Sequence, residues 1–395
     1  MLGKPPRMAQ HYRHRQHRRR HAPAAIGKTQ RNLKQMMPDH LKRISLVDCS
    51  SPQSGVGHFC SSLFSEPSLA AQLLHVRLDR KNHQVVERNG YDCGTANVLG
   101  SFRASLPASL WNPVAGRCLA TQKQLHLSTQ NLSRLARPDC LLTVHDLFYR
   151  TCPRNATDPW LAHWLYTGMS RAGHIAVDSQ ATADDVSALL GHRCPPIDVI
   201  YLFVDVPEMS PCPKGDYFLH VSSEEPRKNF DTVLRAFAIL KSRPGNRDLR
   251  LIKVGKAASL NARKRHEALA TELGIRASIE FRQGIDNAEL AKLYAGALAT
   301  FFPSSAEGFG YPLLESLAQG TEVIAGDIPV LKELGSDHVT YVDPKDPGAM
   351  ADAAAAYLQG TDTARRECLQ NQARNFSRQR FIAGTTRLYQ RLWGI

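Results

Sequence analysis

LATFFPSSAEGFGYPLLESLAQGTEVIAG, residues 298–326, carries the alternation that decides the fold. The apolar and aromatic run at 298–302 reads as a buried strand, and a serine- and glycine-rich loop follows it. Pro312 suits the first turn of a helix and Gly320 its C-terminal cap. Residues 321–326 then return to a β-branched run. Strand, loop, short helix and strand in so short a span is the repeat of a parallel sheet. The loop and helix also hold two carboxylates, Glu307 and Glu315, on either side of a Gly-Phe-Gly turn.

The pattern extends outward in both directions. Strands read at 217–222, 249–255, 278–282 and 338–342, with helical periods between them. Ligands on such sheets bind at the carboxyl ends of the strands. Upstream, VPEMSPCPKG (206–215) has three prolines and a glycine and reads as a linker. Before it, strands read at 43–50, 140–148 and 174–179, with a Trp-rich helical stretch at 157–171. A helix with Ser179 as its N-cap runs to Leu190. The sequence therefore predicts an α/β protein of two Rossmann-like doubly wound parallel-sheet domains, 44–205 and 216–376, facing each other across a cleft. Residues 377–395 form a closing helix that packs back on the first domain. Residues 101–124 show no readable pattern.

The formal net charge of +14 is unevenly spread. Residues 1–43 hold twelve Lys/Arg against one acid, 44–214 hold fourteen of each sign, and 215–395 hold twenty-four against twenty-one. The body is close to neutral, which argues against nucleic acid as the partner of the folded part. HYRHRQHRRRH (11–21) is low-complexity, so 1–43 reads as a disordered basic tail, a solvated segment or an over-long gene start. Anionic lipid at the inner face of a membrane is the surface that suits its charge. His11, His14, His17 and His21 are not read as a metal site. Nine scattered cysteines without a Cys-x-x-Cys pair point to a reducing cytoplasm rather than a disulfide framework or zinc. No apolar run reaches the roughly 20 residues of a membrane span, and no secretory signal core is read.

SSEEPRKNF (222–230) places Arg227 and Lys228 at a strand exit, ahead of a helix that Asn229 suits as a cap. Two cations beside a helix N-terminus favour a phosphate. Glu307 and Glu315 sit at the same end of the sheet, and carboxylates accept well from paired sugar hydroxyls.

EPRKN, the Glu-x7-Glu of EGFGYPLLE and the following GTEVIAGDIPVLKEL together resemble the GT-B-fold retaining glycosyltransferases of family 4, most strongly over 216–345. VHDLFY (144–149), VDSQATADDV (177–186), SGVG (54–57) and FSRQRF fit the same order. The resemblance implies that Glu307 contacts the donor sugar, with the N–H groups of Gly308, Phe309 and Gly310 beside it. It implies that Glu315 holds the nucleotide ribose, and that Arg227 and Lys228 bind the diphosphate. Ile285 falls where the backbone reads the base, Gly55 and Gly57 where a glycine turn approaches the phosphates, and His145 near the transferred sugar. A strand-end histidine beside Asp146 is equally well read as a satisfied core residue.

The implied reaction moves a hexose, with mannose from GDP-mannose as the lean, to a hydroxyl of a glycan or lipid-linked acceptor. The nucleotide sugar is a co-substrate, no cofactor is called for, and the lack of Asp-x-Asp fits a metal-independent donor site. Ser222 and Ser223 stand where many members carry Gly-Arg, which removes one expected phosphate contact. Two other classes stay open on the residues alone. An NAD-type oxidoreductase needs Gly-x-Gly-x-x-Gly, and SPQSGVGHFC lacks the third glycine. A nucleic-acid-binding or scaffold protein would act through the basic tail only.

Overall fold

The structure, a computed structural model, describes residues 43–394 apart from 53, 80–81, 83, 92–95, 102–114, 154–157 and 209–211. The tail over residues 1–42, and most of 101–124, lie outside the described residues.

The first sheet contains β1 (Ile44–Asp48), β2 (Leu73–Asp79), β3 (Gln84–Arg88), β4 (Asn97–Ser101), β5 (Leu125–Leu127), β6 (Cys140–Val144), β7 (His174–Val177) and β8 (Ile197–Val199). Their order across the sheet is β4-β3-β2-β1-β5-β6-β7-β8, with β3 antiparallel to both its neighbours and the other pairs parallel. The second sheet, β9 (Tyr217–Val221), β10 (Arg250–Val254), β11 (Ile279–Arg282), β12 (Ala299–Phe302), β13 (Glu322–Gly326) and β14 (Thr340–Val342), is parallel throughout in the order β11-β10-β9-β12-β13-β14. Every residue of β1, β6, β7, β12 and β13 is buried, as central strands covered on both faces require.

The helices whose bounds are described include α1 (Gly55–Ser65), α2 (Pro67–Ala70), α3 (Phe148–Thr151), α4 (Asp158–Tyr166), α5 (Gln180–Leu190), α6 (Phe230–Ser242), α7 (Leu260–Glu272), α8 (Asn287–Gly296), α9 (Tyr311–Ala318), α10 (Pro329–Gly335), α11 (Pro347–Ala355), α12 (Thr363–Arg374) and α13 (Arg378–Trp393). In α6 the buried Phe230, Val233, Leu234, Phe237 and Leu240 recur at helical spacing and face the sheet. Burying each contributes about 1.5–3 kcal/mol.

α13 crosses back to the first sheet. Phe381 meets Phe59 edge-on at 5.8 Å, and the Tyr389 hydroxyl lies 2.7 Å from Nδ1 of His126. Burial pulls the His126 imidazole down to about 3, so it is neutral, with Nε2 2.7 Å from Thr143 Oγ1 on its other side. One apolar cluster runs from Leu46 and Phe59 through Leu202 and Phe381 to Phe309 and Leu331, joining the two halves.

Three local readings need correction. Asn229 does not cap α6: it takes a left-handed conformation (φ 50°) and its side chain makes no cap bond. The helical stretch expected at 157–171 ends at Tyr166, and Met169–Arg171 is a separate 3-10 turn beyond Gly168. A Cβ on Gly168 would lie 2.5 Å from the Ser133 carbonyl, a close approach that breaks the period there. Finally, β2 to β5 and β8 lie outside the strands expected from the sequence. β4 is an exposed edge strand, β3 beside it is only partly buried, and a polar residue splits the apolar run of the three-residue β5 (His126) and β8 (Asp198).

Candidate functional site

β9 and β12 are neighbours, so the loops at their carboxyl ends meet. After β9 the chain turns through the 3-10 segment Pro226–Lys228. Asn229 then donates its amide N–H to the Pro303 carbonyl at 2.7 Å and to Ser305 Oγ, while the Ser305 N–H donates to the Arg227 carbonyl at 2.8 Å. The left-handed turn thus aims the asparagine across the sheet instead of along the helix.

This stitching brings Glu307 against both cations. Its Oε1 pairs with Lys228 Nζ, and its Oε2 lies 3.2 Å from Arg227 Nη1. Arg227 also donates to the Ala306 carbonyl at 2.9 Å, pairs with Glu225 at 2.8 Å, and packs over the Phe148 ring at 4.1 Å. The three side chains are only 8–16% exposed. Burial pushes the Glu307 carboxyl upward, but Lys228 and Arg227 outweigh it and hold the group below the usual range. The sequence reading gave the sugar contact to Glu307 and the diphosphate to the cations; the fold joins all three in one triad.

Glu315 is held differently. On α9, its Oε2 accepts from the Tyr294 hydroxyl at 2.8 Å, and burial raises its pKa. Ile285, between β11 and α8, packs on the cluster that contains Tyr294. Pro312 does lie in the first turn of α9, and Gly320 follows its end at φ 65°.

The glycines divide by the space around them. A Cβ on Gly308 would lie 2.0 Å from the His145 carbonyl, so this loop rests directly on the end of β6. The Gly308 carbonyl accepts from Ser179 Oγ at 3.1 Å and from Thr182 Oγ1 at 3.3 Å. Gly310 has φ 122°, and Phe309 is buried against Tyr311 and Phe376. A Cβ on Gly57 would meet the Ser51 carbonyl at 2.3 Å, whereas Gly55, at the start of α1, has nothing within 4 Å. Packing therefore accounts for Gly57 and Gly308, and only Gly55 leaves open space.

His145 has both ring nitrogens engaged, Nδ1 with Asp178 Oδ2 at 2.5 Å and Nε2 with the Ser128 carbonyl at 2.9 Å. Both partners are acceptors, so both nitrogens carry hydrogen. Burial disfavours the resulting imidazolium, but Asp178 outweighs it and the pKa rises. A direct contact with a sugar would have to displace one of these partners. Next to it, Asp146 accepts from the Phe148 N–H at 3.1 Å, and burial raises its pKa.

Some contributors went unread. Ser179 is the expected N-cap of α5, accepting from the Thr182 N–H at 3.1 Å. What was not expected is Glu333 of α10, whose Oε1 and Oε2 accept from the N–H groups of Gln180 and Ala181 at 2.6 and 3.0 Å. A carboxylate from the second domain thus closes the N-terminus of a helix in the first. Asp178 and Phe148 were likewise passed over, because nothing in their sequence context marks a partner so distant. Among the described residues, no group of three or more His, Cys, Asp or Glu side chains is placed to hold a metal.

Comparisons with known proteins agree with this layout. Residues 210–376 match the family model described as glycosyl transferases group 1. The serotype-specific mannosyltransferase WbdA of Escherichia coli is 36% identical over 141 residues, covering 36% of this chain and 17% of WbdA. The O-antigen chain mannosyltransferase RfbU of Salmonella typhimurium is 27% identical over 226 residues, 57% of this chain and 62% of RfbU. The chain thus spans less than two thirds of the length of these curated relatives. Sucrose-phosphate synthase from Thermosynechococcus elongatus superposes with a TM-score of 0.70 at 19% identity, over 89% of this chain and 99% of that one, which shows a shared GT-B fold. The chain thus carries a glycosyl transferases group 1 match over residues 210–376, within a two-sheet GT-B fold.

Proposed function

We propose that the chain transfers a hexose, with retention as in family 4, from a nucleoside diphosphate sugar to a hydroxyl of a glycan or lipid-linked acceptor. The observation that carries this reading is the Arg227–Lys228–Glu307 triad at the carboxyl ends of β9 and β12, resting on the end of β6 in the other domain. Mannose is the favoured sugar because WbdA and RfbU are mannosyltransferases, and GDP-mannose is then the favoured donor.

In this reading Arg227 and Lys228 take the diphosphate and stabilise the charge that develops on it as the sugar departs. Glu307 leaves the cations to accept from the sugar hydroxyls. Glu315, oriented by Tyr294, accepts from the ribose, and Ile285 lies beside the base. Gly55 admits the phosphates to the start of α1. The departing phosphate oxygen takes the acceptor proton on the same face. The His145–Asp178 pair supports the β6 end on which the Gly308 loop rests. Protein cations already neutralise the diphosphate, so transfer proceeds without a metal. No described helix is long and apolar enough to cross a membrane. The basic residues of 1–43 are proposed to hold a cytoplasmic enzyme on anionic lipid.

A thermal-shift series with GDP, UDP and ADP and their mannose and glucose conjugates tests the reading, because a ligand of the native state raises its melting temperature. One base should stand out, and excess chelator should leave transfer intact. No shift with any of them would refute it.

A further inference from the structure

Behind the triad lies a second set of charges that the proposed reaction does not use. Glu224 and Lys253 both have side chains with 0% exposure. Lys253, next to last in β10, donates to the Ser222 carbonyl at 2.8 Å and the Gly255 carbonyl at 3.1 Å, with Glu224 Oε1 3.6 Å away. Glu224 accepts from Arg263 on Oε1, and its Oε2 lies 3.2 Å from His266 Nδ1. His266 Nε2 reaches Asp231 in the first turn of α6 at 2.9 Å. Arg263 also packs over Phe281 at 4.2 Å.

Stability alone does not account for this set. Burying an ion pair strips both charges of water, and apolar residues of similar volume often stabilise a core as well or better. What the set does is hold one piece of backbone. Residues 222–225 carry the chain from β9 into Pro226–Lys228, and Glu225 makes no side-chain cap bond there. Lys253 grips the segment at the Ser222 carbonyl, and the Glu224 side chain pins its middle to α7. Ser305 holds the Arg227 carbonyl at the far end. His220 adds to the first anchor: its Nδ1 lies 2.9 Å from the Phe301 carbonyl and its Nε2 2.7 Å from Ser222 Oγ. Gly255 (φ 122°) lets β10 come this close, since a Cβ would lie 2.1 Å from the Ser222 carbonyl.

We propose that Glu224 and Lys253 are positioning residues for the diphosphate site, setting the path of 222–228 so that Arg227 and Lys228 present their charges together. This rests on the reading of those cations as phosphate ligands.

The test uses the full chain with Glu224→Leu and Lys253→Met combined, which removes both buried charges at once. Arg263, 17% exposed, turns to water, and His266 keeps Asp231. Calorimetric titration compares GDP, UDP and ADP with the matching nucleosides. The double variant should melt near the parent temperature. It should bind the preferred diphosphate about tenfold more weakly, as is usual when the support behind a binding group is removed. The nucleoside should bind unchanged, and kcat/KM should fall with the diphosphate affinity. Glu224→Gln, which keeps the shape and drops the charge, should show the same selective loss in milder form if the double variant folds poorly. Parental diphosphate affinity in both variants would overturn the proposal, as would an equal loss of nucleoside and diphosphate. A parent protein that binds no nucleoside diphosphate overturns the site reading itself, and this inference with it.

Discussion

Glu307 shows how a side chain's neighbours change its meaning. In the folded chain its carboxylate already lies between Lys228 and Arg227, where an incoming diphosphate must compete with it. Glu307→Gln should therefore tighten the free nucleoside diphosphate, on the order of tenfold for one charge-assisted contact removed. The same change should slow transfer, because the sugar loses its acceptor as the anomeric carbon becomes cationic. Calorimetry and steady-state rates on one variant decide it; weaker diphosphate binding would contradict the competition. His145 makes a second prediction at this scale. Asp178 raises its pKa in the folded chain, so the pair's contribution is complete below the ordinary histidine value of about 6.5. It is lost as pH rises through the raised value. The melting temperature of the parent should fall across that window, and Asp178→Asn should flatten the fall.

At the scale of elements, α1 offers a clean comparison. Gly57 is pressed against the Ser51 carbonyl, so Gly57→Ala must shift the turn at a cost of about 1–3 kcal/mol. Gly55 begins the helix in open space, where alanine favours the helical state over glycine. Gly55→Ala should leave melting unchanged or raise it, yet weaken the nucleotide sugar if the phosphates come within reach of that Cα. Paired melting and binding curves separate the two roles. A Gly55→Ala protein that binds the donor normally removes Gly55 from the site. The strands of the second sheet were legible because each is a mainly apolar run, as in Ala299–Phe302, or an alternating one, as in Ile279–Arg282, bounded by turn residues. The edge strand β4 and its neighbour β3 were not, since partial exposure blurs their alternation.

For the whole molecule, the contact between Glu333 and the start of α5 is one of those that join the two halves. Glu333→Ala removes a carboxylate from a helix N-terminus, worth about 1–2 kcal/mol of domain closure. Small-angle scattering should show a larger radius for this variant, and the donor KM should rise while isolated nucleoside binding changes little. An unchanged radius and KM would mean that the Gly308 loop and its hydroxyl donors suffice to hold the halves together.

Periodicity, turn chemistry and motif order are local properties, and from them the chain's own letters yielded the strand–helix repeat, the second domain, the loops bearing Arg227, Lys228 and Glu307, and the helix bearing Glu315. The pairings are not local. The Glu307 triad joins residues 79 and 80 positions apart, the Glu333 cap joins residues 152 and 153 apart, and Lys253 meets Ser222 across 31. Such contacts depend on which strands lie side by side and on how deeply each charge is buried. A single carboxylate in a loop looks the same in the sequence whether it faces water, a sugar or two cations. Its partner is chosen only when the sheet order β9-β12 brings the two loops together.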